Sequence, residues 1–210
     1  MQVRLRTEMT RADIAQAGAD AVILCTGSNP SRDGFQRAFP HVAKLPGAEQ
    51  DNVCTAHDVL EGKVTPGTRV LLLDDINGWW PATGTALHLA QQRHQVTIVT
   101  PSEKAASALD LSSTGETTRE RLAKLGVEVV LATAVEKWSG NTATLLNLYT
   151  MDREEREFDS LVLALTNTPE DGLTRALADS SAEVHTIGDA VSARTASMAF
   201  YEGRKLALAL

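Results

Sequence analysis

Several turns in this sequence carry residue types that could meet a bound anion, or could exclude one. The most telling follows the apolar run Arg69–Asp74 and reads Asp75-Ile-Asn-Gly-Trp-Trp-Pro-Ala-Thr-Gly84. A strand, a glycine-bearing turn and a helix can cradle a dinucleotide, because glycines let backbone amides and a helix N-terminus reach the pyrophosphate. The spacing that does this is GxGxxG. Here the first two glycine places hold Asp74 and either Asp75 or Ile76. Carboxylates at that turn repel phosphate, and Trp79 and Trp80 are bulky. A second requirement is an acid at the end of the next strand, for the adenine ribose. That place holds Thr100-Pro101, with no carboxylate before Glu103. The residues therefore predict that NAD(P) does not bind here and that the turn is scaffold, its tryptophans packing it or covering a neighbouring domain.

Two other turns keep a ligand and a plain structural role open. Gly188-Asp189-Ala190 lies between a strand and the last helix. Asp189 could present its carboxylate to a ligand beside a helix N-terminus, or simply cap that helix. Thr26-Gly27 ends an apolar run and could line a nucleotide, or only supply a flexible turn. Arg194 could pair with a phosphate or with Asp189, or lie on the surface in the first helical turn. No catalytic residue emerges: there is no GxSxG elbow, no P-loop and no recognisable Cys–His spacing. Cys25 and Cys54 are too far apart for a CxxC pair and read as small buried apolar groups. His41, His57, His88, His94 and His185 lack metal-ligand spacing. The runs Arg119-Glu-Arg121 and Asp152–Glu157 read as solvated faces.

The elements that must position these turns follow from apolar patterning. Val3–Leu5 reads as a short strand. Thr10-Arg-Ala-Asp13 resembles a capping box for a helix to Ala17, closed by Gly18. Asp20–Cys25 is a continuous apolar run, as in a parallel strand buried on both faces. Residues 31–66, punctuated by Gly34, Pro40, Pro46, Gly47, Gly62 and Pro66, read as a crossing segment with a short helix at Ala56–Leu60. Strands Arg69–Asp74, Gln95–Thr100 and Val127–Ala132 then alternate with helices Thr83–Arg93 and Thr114–Leu125, which is α/β patterning. Short alternating stretches from Ala134 to Phe158 predict an antiparallel meander. Asp159–Leu165 returns to a buried parallel strand, Asp171–Ala178 is a helix, Glu183–Ile187 a strand, and a helix runs from about Ser192 to the end.

A formal net charge of −7 argues against nucleic acid. The longest apolar runs, Val70–Leu73 and Leu206–Leu210, are too short to span a bilayer, and Met1–Thr10 is too polar for a signal peptide. The expectation is a cytoplasmic protein, bound neither to membrane nor to nucleic acid.

One internal echo organises the chain. Asp20-Ala-Val-Ile-Leu-Cys-Thr-Gly-Ser-Asn-Pro30 lines up with Asp159-Ser-Leu-Val-Leu-Ala-Leu-Thr-Asn-Thr-Pro169. Each is an acid, an apolar strand and a Thr/Ser/Asn turn closed by proline. Two such strands flanking the central unit predict one domain nested in another, 66–169 within 1–65 and 170–210.

This order of parts resembles flavoprotein reductases in which an NAD-type domain is inserted into an FAD-type domain. More closely, it is similar to the C-terminal part of Old Yellow Enzyme-related oxidoreductases, the family of trimethylamine dehydrogenase, dienoyl-CoA reductase and the N-methyl amino-acid demethylases. The residues that carry the resemblance are Asp20–Pro30, Asp58-Val59-Leu60, Gly67–Asp74, Ala86–Ala90, Val96–Pro101 and Ile187–Ala190, with Arg194, Glu202 and Gly203. It implies an α/β, Rossmann-like, three-layer parallel sheet with an antiparallel meander, the FAD-type half being incomplete. Thr26, Gly27, Gly188, Asp189, Ala190 and Arg194 become a partial site for FAD or ADP, with Asp189 accepting from a ribityl hydroxyl. FMN and any iron–sulfur cluster would belong to a barrel upstream, absent here like the glycine-rich FAD loop. The expectation is a fragment or truncated reading frame, inactive alone, partnered by that barrel or by another subunit. Exposed apolar surface would favour a homodimer. The alternative is a scaffold or docking module that has lost its dinucleotide.

Overall fold

The computed structural model describes residues 2–75 and 78–210. Ile76, one of the two residues considered for the second glycine place, lies outside the described residues. The chain divides into two compact units, Pro30–Thr166 and a discontinuous one of Met1–Asn29 with Asn167–Leu210.

The central unit is built on a five-stranded parallel sheet. In chain order its strands are β3 (Val53–Thr55), β4 (Arg69–Asp74), β5 (Gln95–Val99), β6 (Glu128–Val130) and β10 (Ser160–Ala164). In space they lie in the order β3-β10-β4-β5-β6. Their apolar runs follow from cover on both faces. Val70 and Leu72 of β4 point into one core with Ala82, Ala86 and Leu89, whereas Leu71 and Leu73 point into another with Val135, Trp138 and Leu145. Residues two apart share a face. The first face is covered by α2 (Ala56–Leu60), α3 (Trp80–Gln91) and α4 (Gly115–Lys124). The second is covered by an antiparallel meander of β7 (Thr133–Ser139), β8 (Thr142–Asn147) and β9 (Arg153–Glu157).

Residues 30–65 differ from expectation. The sequence pattern assigns them to the outer region, whereas they pack within the central unit. Leu45 and Ala48 enter the meander-side core, and β3 pairs in parallel with β10, Val53 opposite Leu161. Trp138, 1 % exposed, donates from its indole nitrogen to Asn52 Oδ1 at 3.0 Å, which ties the crossing segment to the meander. Helix α2 spans the expected residues because Thr55 and Asp58 form a reciprocal capping box. Helix α3 begins three residues before Thr83, since Pro81 is compatible with a first turn.

In the outer unit, α1 (Arg11–Ala17) has its Thr10–Asp13 capping box and a left-handed Gly18 at its end. Val3–Leu5 forms no strand. Strand β1 (Ala21–Leu24) pairs in parallel with β12 (Glu183–Thr186), and α5 (Gly172–Ala176) and α6 (Ala196–Ala207) complete the unit. The expectation that β1 is buried on both faces fails. Only Leu24 is buried, and Ile23 is 46 % exposed. Apolar sequence marks a strand fit for burial, but a second layer must supply it. No residue of α6 is buried either, and Phe200 and Tyr201 face outward.

The two echoing segments also meet. Each runs from its strand into a two-residue strand, β2 (Ser28–Asn29) and β11 (Thr168–Pro169), and these pair antiparallel, Thr168 opposite Asn29.

Candidate functional site

The order of the central sheet locates its natural ligand crevice. From β4 the chain moves outward through β5 and β6, then returns on the other side of β4 as β10. The direction of winding reverses between β4 and β10, and in open α/β sheets ligands bind beyond the carboxyl ends of the strands at that reversal. Asp74 and Asp75 stand there. Asp74 is 1 % and Asp75 2 % exposed, and the Asp75 amide donates to the Ala164 carbonyl of β10 at 3.3 Å. Burial pushes the Asp75 carboxyl above the usual carboxylate range, against the pull of Arg37. Arg37 donates to Asp75 Oδ2 from its backbone nitrogen at 2.9 Å and from Nε at 3.3 Å, and its guanidinium also bonds the Asp75 carbonyl. Asp75 Oδ1 finds no partner among the described residues.

An anionic pyrophosphate would thus meet buried acid at the site where the fold would offer amides. The sequence reading missed Arg37. Nothing in its local pattern announces a partner 38 residues away. Trp79 is the N-cap of α3 but makes no side-chain capping bond, and Trp80 is 44 % exposed.

The turns around Asp189 come together within the outer unit. Gly188–Ala190 is a single 3-10 turn after β12, with Gly188 at φ 68°. Ser28 Oγ donates to Asp189 Oδ2 at 3.3 Å, and Asn167 donates to Ser28 Oγ at 3.2 Å. Thr26 Oγ1 donates to the Glu170 carbonyl at 2.6 Å, and the Glu170 amide donates to the Gly27 carbonyl at 2.9 Å. Asp189 does not cap α6, contrary to the plain capping role that an Asp before a helix suggests. The helix starts only at Ala196, with Thr195 as its N-cap. Arg194 precedes that N-cap and gives Asp189 only its backbone amide, at 3.2 Å. Its guanidinium instead pairs with Glu202 Oε1 at 2.5 Å.

The sequence-based site did not assign Glu202 a bonding role. Its Oε2 accepts the Gly188 amide at 2.8 Å, and that bond, then Arg194, holds its carboxyl below the usual range. Glycine at 27 and 188 leaves open space, since a Cβ at Gly27 would meet nothing and one at Gly188 only Ala199 at 3.6 Å. These turns fit an FAD or ADP diphosphate only in part. The cradle is open, but the Gly188 amide is spent on Glu202 and the Asp189 carboxylate on Ser28 and Arg194.

The remaining candidates fall apart. Cys54 is buried, and desolvation, then Asp58, pushes its thiol up to about 11. Cys25 is exposed, against expectation, because it lies just past the end of β1. Arg119 is not simply solvated: it donates to the Ala105 carbonyl at 3.2 Å and to Asp110 Oδ1 at 3.0 Å. Among the described residues no group of three or more His, Cys, Asp or Glu side chains could hold a metal, and no helix is long and apolar enough to cross a membrane.

No family model matches the chain. Dimethylamine dehydrogenase of a Hyphomicrobium species is 26 % identical over 98 % of this chain and 31 % of its own length. The N,N-dimethylglycine/sarcosine dehydrogenase of Chromohalobacter salexigens is 29 % identical over 86 % of this chain and 26 % of its own length. The solved 6-hydroxypseudooxynicotine amine oxidase of Pseudomonas geniculata N1 superposes with a TM-score of 0.88 at 27 % identity, covering 96 % of this chain and 30 % of that one. The chain therefore spans at most about a third of the length of these relatives. Read with the order of strands and turns above, these likenesses show that the chain is homologous to the C-terminal FAD/NAD(P)-binding-type region of the Old Yellow Enzyme-related flavin oxidoreductases.

Proposed function

We propose that this chain acts as the nucleotide-binding-type region of a flavin-dependent oxidoreductase, of the amine-dehydrogenase, demethylase or enoate-reductase kind, and exchanges no hydride with NAD(P)H. The observation that carries this reading is the buried Asp74-Asp75 pair at the winding reversal of the central sheet. A dinucleotide needs close, uncharged amides at that point. The organic chemistry would then belong to a flavin held elsewhere, and this region would position a nucleotide or support the flavin-bearing part. On its own the chain is inactive in this reading. FMN and any iron–sulfur cluster would sit in the upstream barrel, which is also the proposed partner.

Whether the outer unit holds FAD or ADP sets two forms of the proposal apart. The open glycine turns at 27 and 188 favour a partial diphosphate site formed with Thr26, Asp189, Ala190 and Arg194. The bonds from Gly188 to Glu202 and from Ser28 to Asp189 favour a scaffold that has lost its ligand. A thermal-shift series with ADP, FAD, NAD and NADP separates them. A ligand at a hundred times its dissociation constant adds roughly 2.7 kcal/mol. Stabilisation by ADP or FAD supports the partial site, and no response to any of the four supports the scaffold. Bound flavin together with NAD(P)H oxidation by the isolated chain would overturn the proposal.

A further inference from the structure

The segment after β5 packs against Gly78, where the chain after β4 enters α3 at the winding reversal. A methyl group built on Gly78 would sit 2.5 Å from the Ala106 Cα, and Ala106 is completely buried. The main chain at Ala106 thus packs directly against Gly78, the residue before the N-cap of α3, and a pyrophosphate would rest at that helix N-terminus.

The segment is held there by identifiable bonds. Asp110 takes Arg119 of α4 at 3.0 Å and forms an ion pair with Lys104. Arg119 also donates to the Ala105 carbonyl, one residue before the contact. The Ala132 amide donates to the Ser102 carbonyl at 3.0 Å, and Tyr149 Oη donates to Glu103 at 2.6 Å. Between Ala106 at φ 54° and Ser113 at φ 59°, the chain forms the 3-10 turn Ser107–Ser112. Two non-glycine residues in the left-handed region are conformationally unfavourable and persist only where surrounding contacts impose them.

We propose that residues 101–113 are a built-in cover, clamped through Asp110, that closes the dinucleotide crevice of the central unit. The inference rests on the reading that NAD(P) does not bind there and supplies a second, steric reason for it. The two reasons differ in what they exclude. Buried carboxylates repel a phosphate but not an uncharged nucleoside, whereas a filled crevice admits neither.

The test is amide hydrogen exchange on the full chain, with saturation-transfer NMR for adenosine and for NADH. The Leu109, Ser113 and Thr114 amides should be protected to within about tenfold of those in α4. Asp110→Ala should raise their exchange at least tenfold and leave β4 and β10 unchanged. Tyr149→Phe, a milder surface change, should raise exchange near Glu103. Neither adenosine nor NADH should change exchange at 101–114 in the wild-type chain, whatever the outer unit binds. Adenosine binding that perturbs 101–114, without such an effect of NADH, would overturn the cover and leave the charge-based reading standing. NADH binding that perturbs 101–114 would overturn both. Free exchange at 106–114 in the wild type, or no response to either substitution, would also sink the cover.

Discussion

The hydroxyl of Ser28 donates to the carboxylate of Asp189 at 3.3 Å, which joins the turn after β1 to the turn after β12. Asp189 also accepts the Arg194 amide, so its carboxylate is an internal brace. Asp189→Ala should lower the stability of the outer unit by about 1 kcal/mol, the usual net worth of such a bond. A urea melt followed on the outer unit checks this. An unchanged midpoint would show that the brace carries no load without a ligand.

Trp138 anchors the crossing segment to the meander through its ring and its bond to Asn52. Trp138→Ala should cost about 3–5 kcal/mol, as large-to-small changes in a filled core do. Trp138→Phe keeps most of the packing but leaves Asn52 Oδ1 without its donor, for about 1–2 kcal/mol. Thermal melts of the two variants should preserve that order.

Asp58 contributes to the acid limb of the central unit. Burial raises its pKa, but hydrogen bonds from Arg32 and from the Thr55 amide and hydroxyl outweigh burial and bring it down to about 2 from the ordinary 3.8. A depressed carboxyl stabilises the fold fully above its unfolded value, and that stability is lost as pH falls through the folded one. Asp58→Asn should therefore cost about 1–2 kcal/mol at neutral pH. The gap between variant and wild type should close as pH falls from about 4 towards 2. A gap that does not depend on pH in that window would contradict the assignment.

Cys25 and Cys54 should differ sharply towards a thiol reagent. Cys25 is exposed and should react in the native chain. Cys54, with its pKa pushed up to about 11, should react only after unfolding. Two equally fast thiols in the native state would show that the packing over Cys54 is open.

Much of this was legible in the sequence, and the failures have physical causes. Strand β4, helix α2, the Thr10 capping box and the meander follow from local patterning, which local sequence specifies. Strand β3 escaped because three residues, Val53-Cys-Thr55, carry too little periodicity, and only β10 beside them makes them a strand. The exposure of β1 escaped because an apolar run reports fitness for burial and cannot report whether a covering layer is present. At the candidate site, the two acids and the missing ribose acid were visible as residue types. The Gly188–Glu202 bond and the approach of Ala106 to Gly78 were not, since both depend on how distant segments fold back.

The central claim is that the turn after β4 admits no dinucleotide. Isothermal titration of the purified chain with NADH and with NADPH, carried to millimolar ligand, tests it most directly. The account predicts heats no larger than dilution for both. A saturable isotherm with a micromolar dissociation constant, accompanied by changed exchange at β4 and at 101–114, would contradict it.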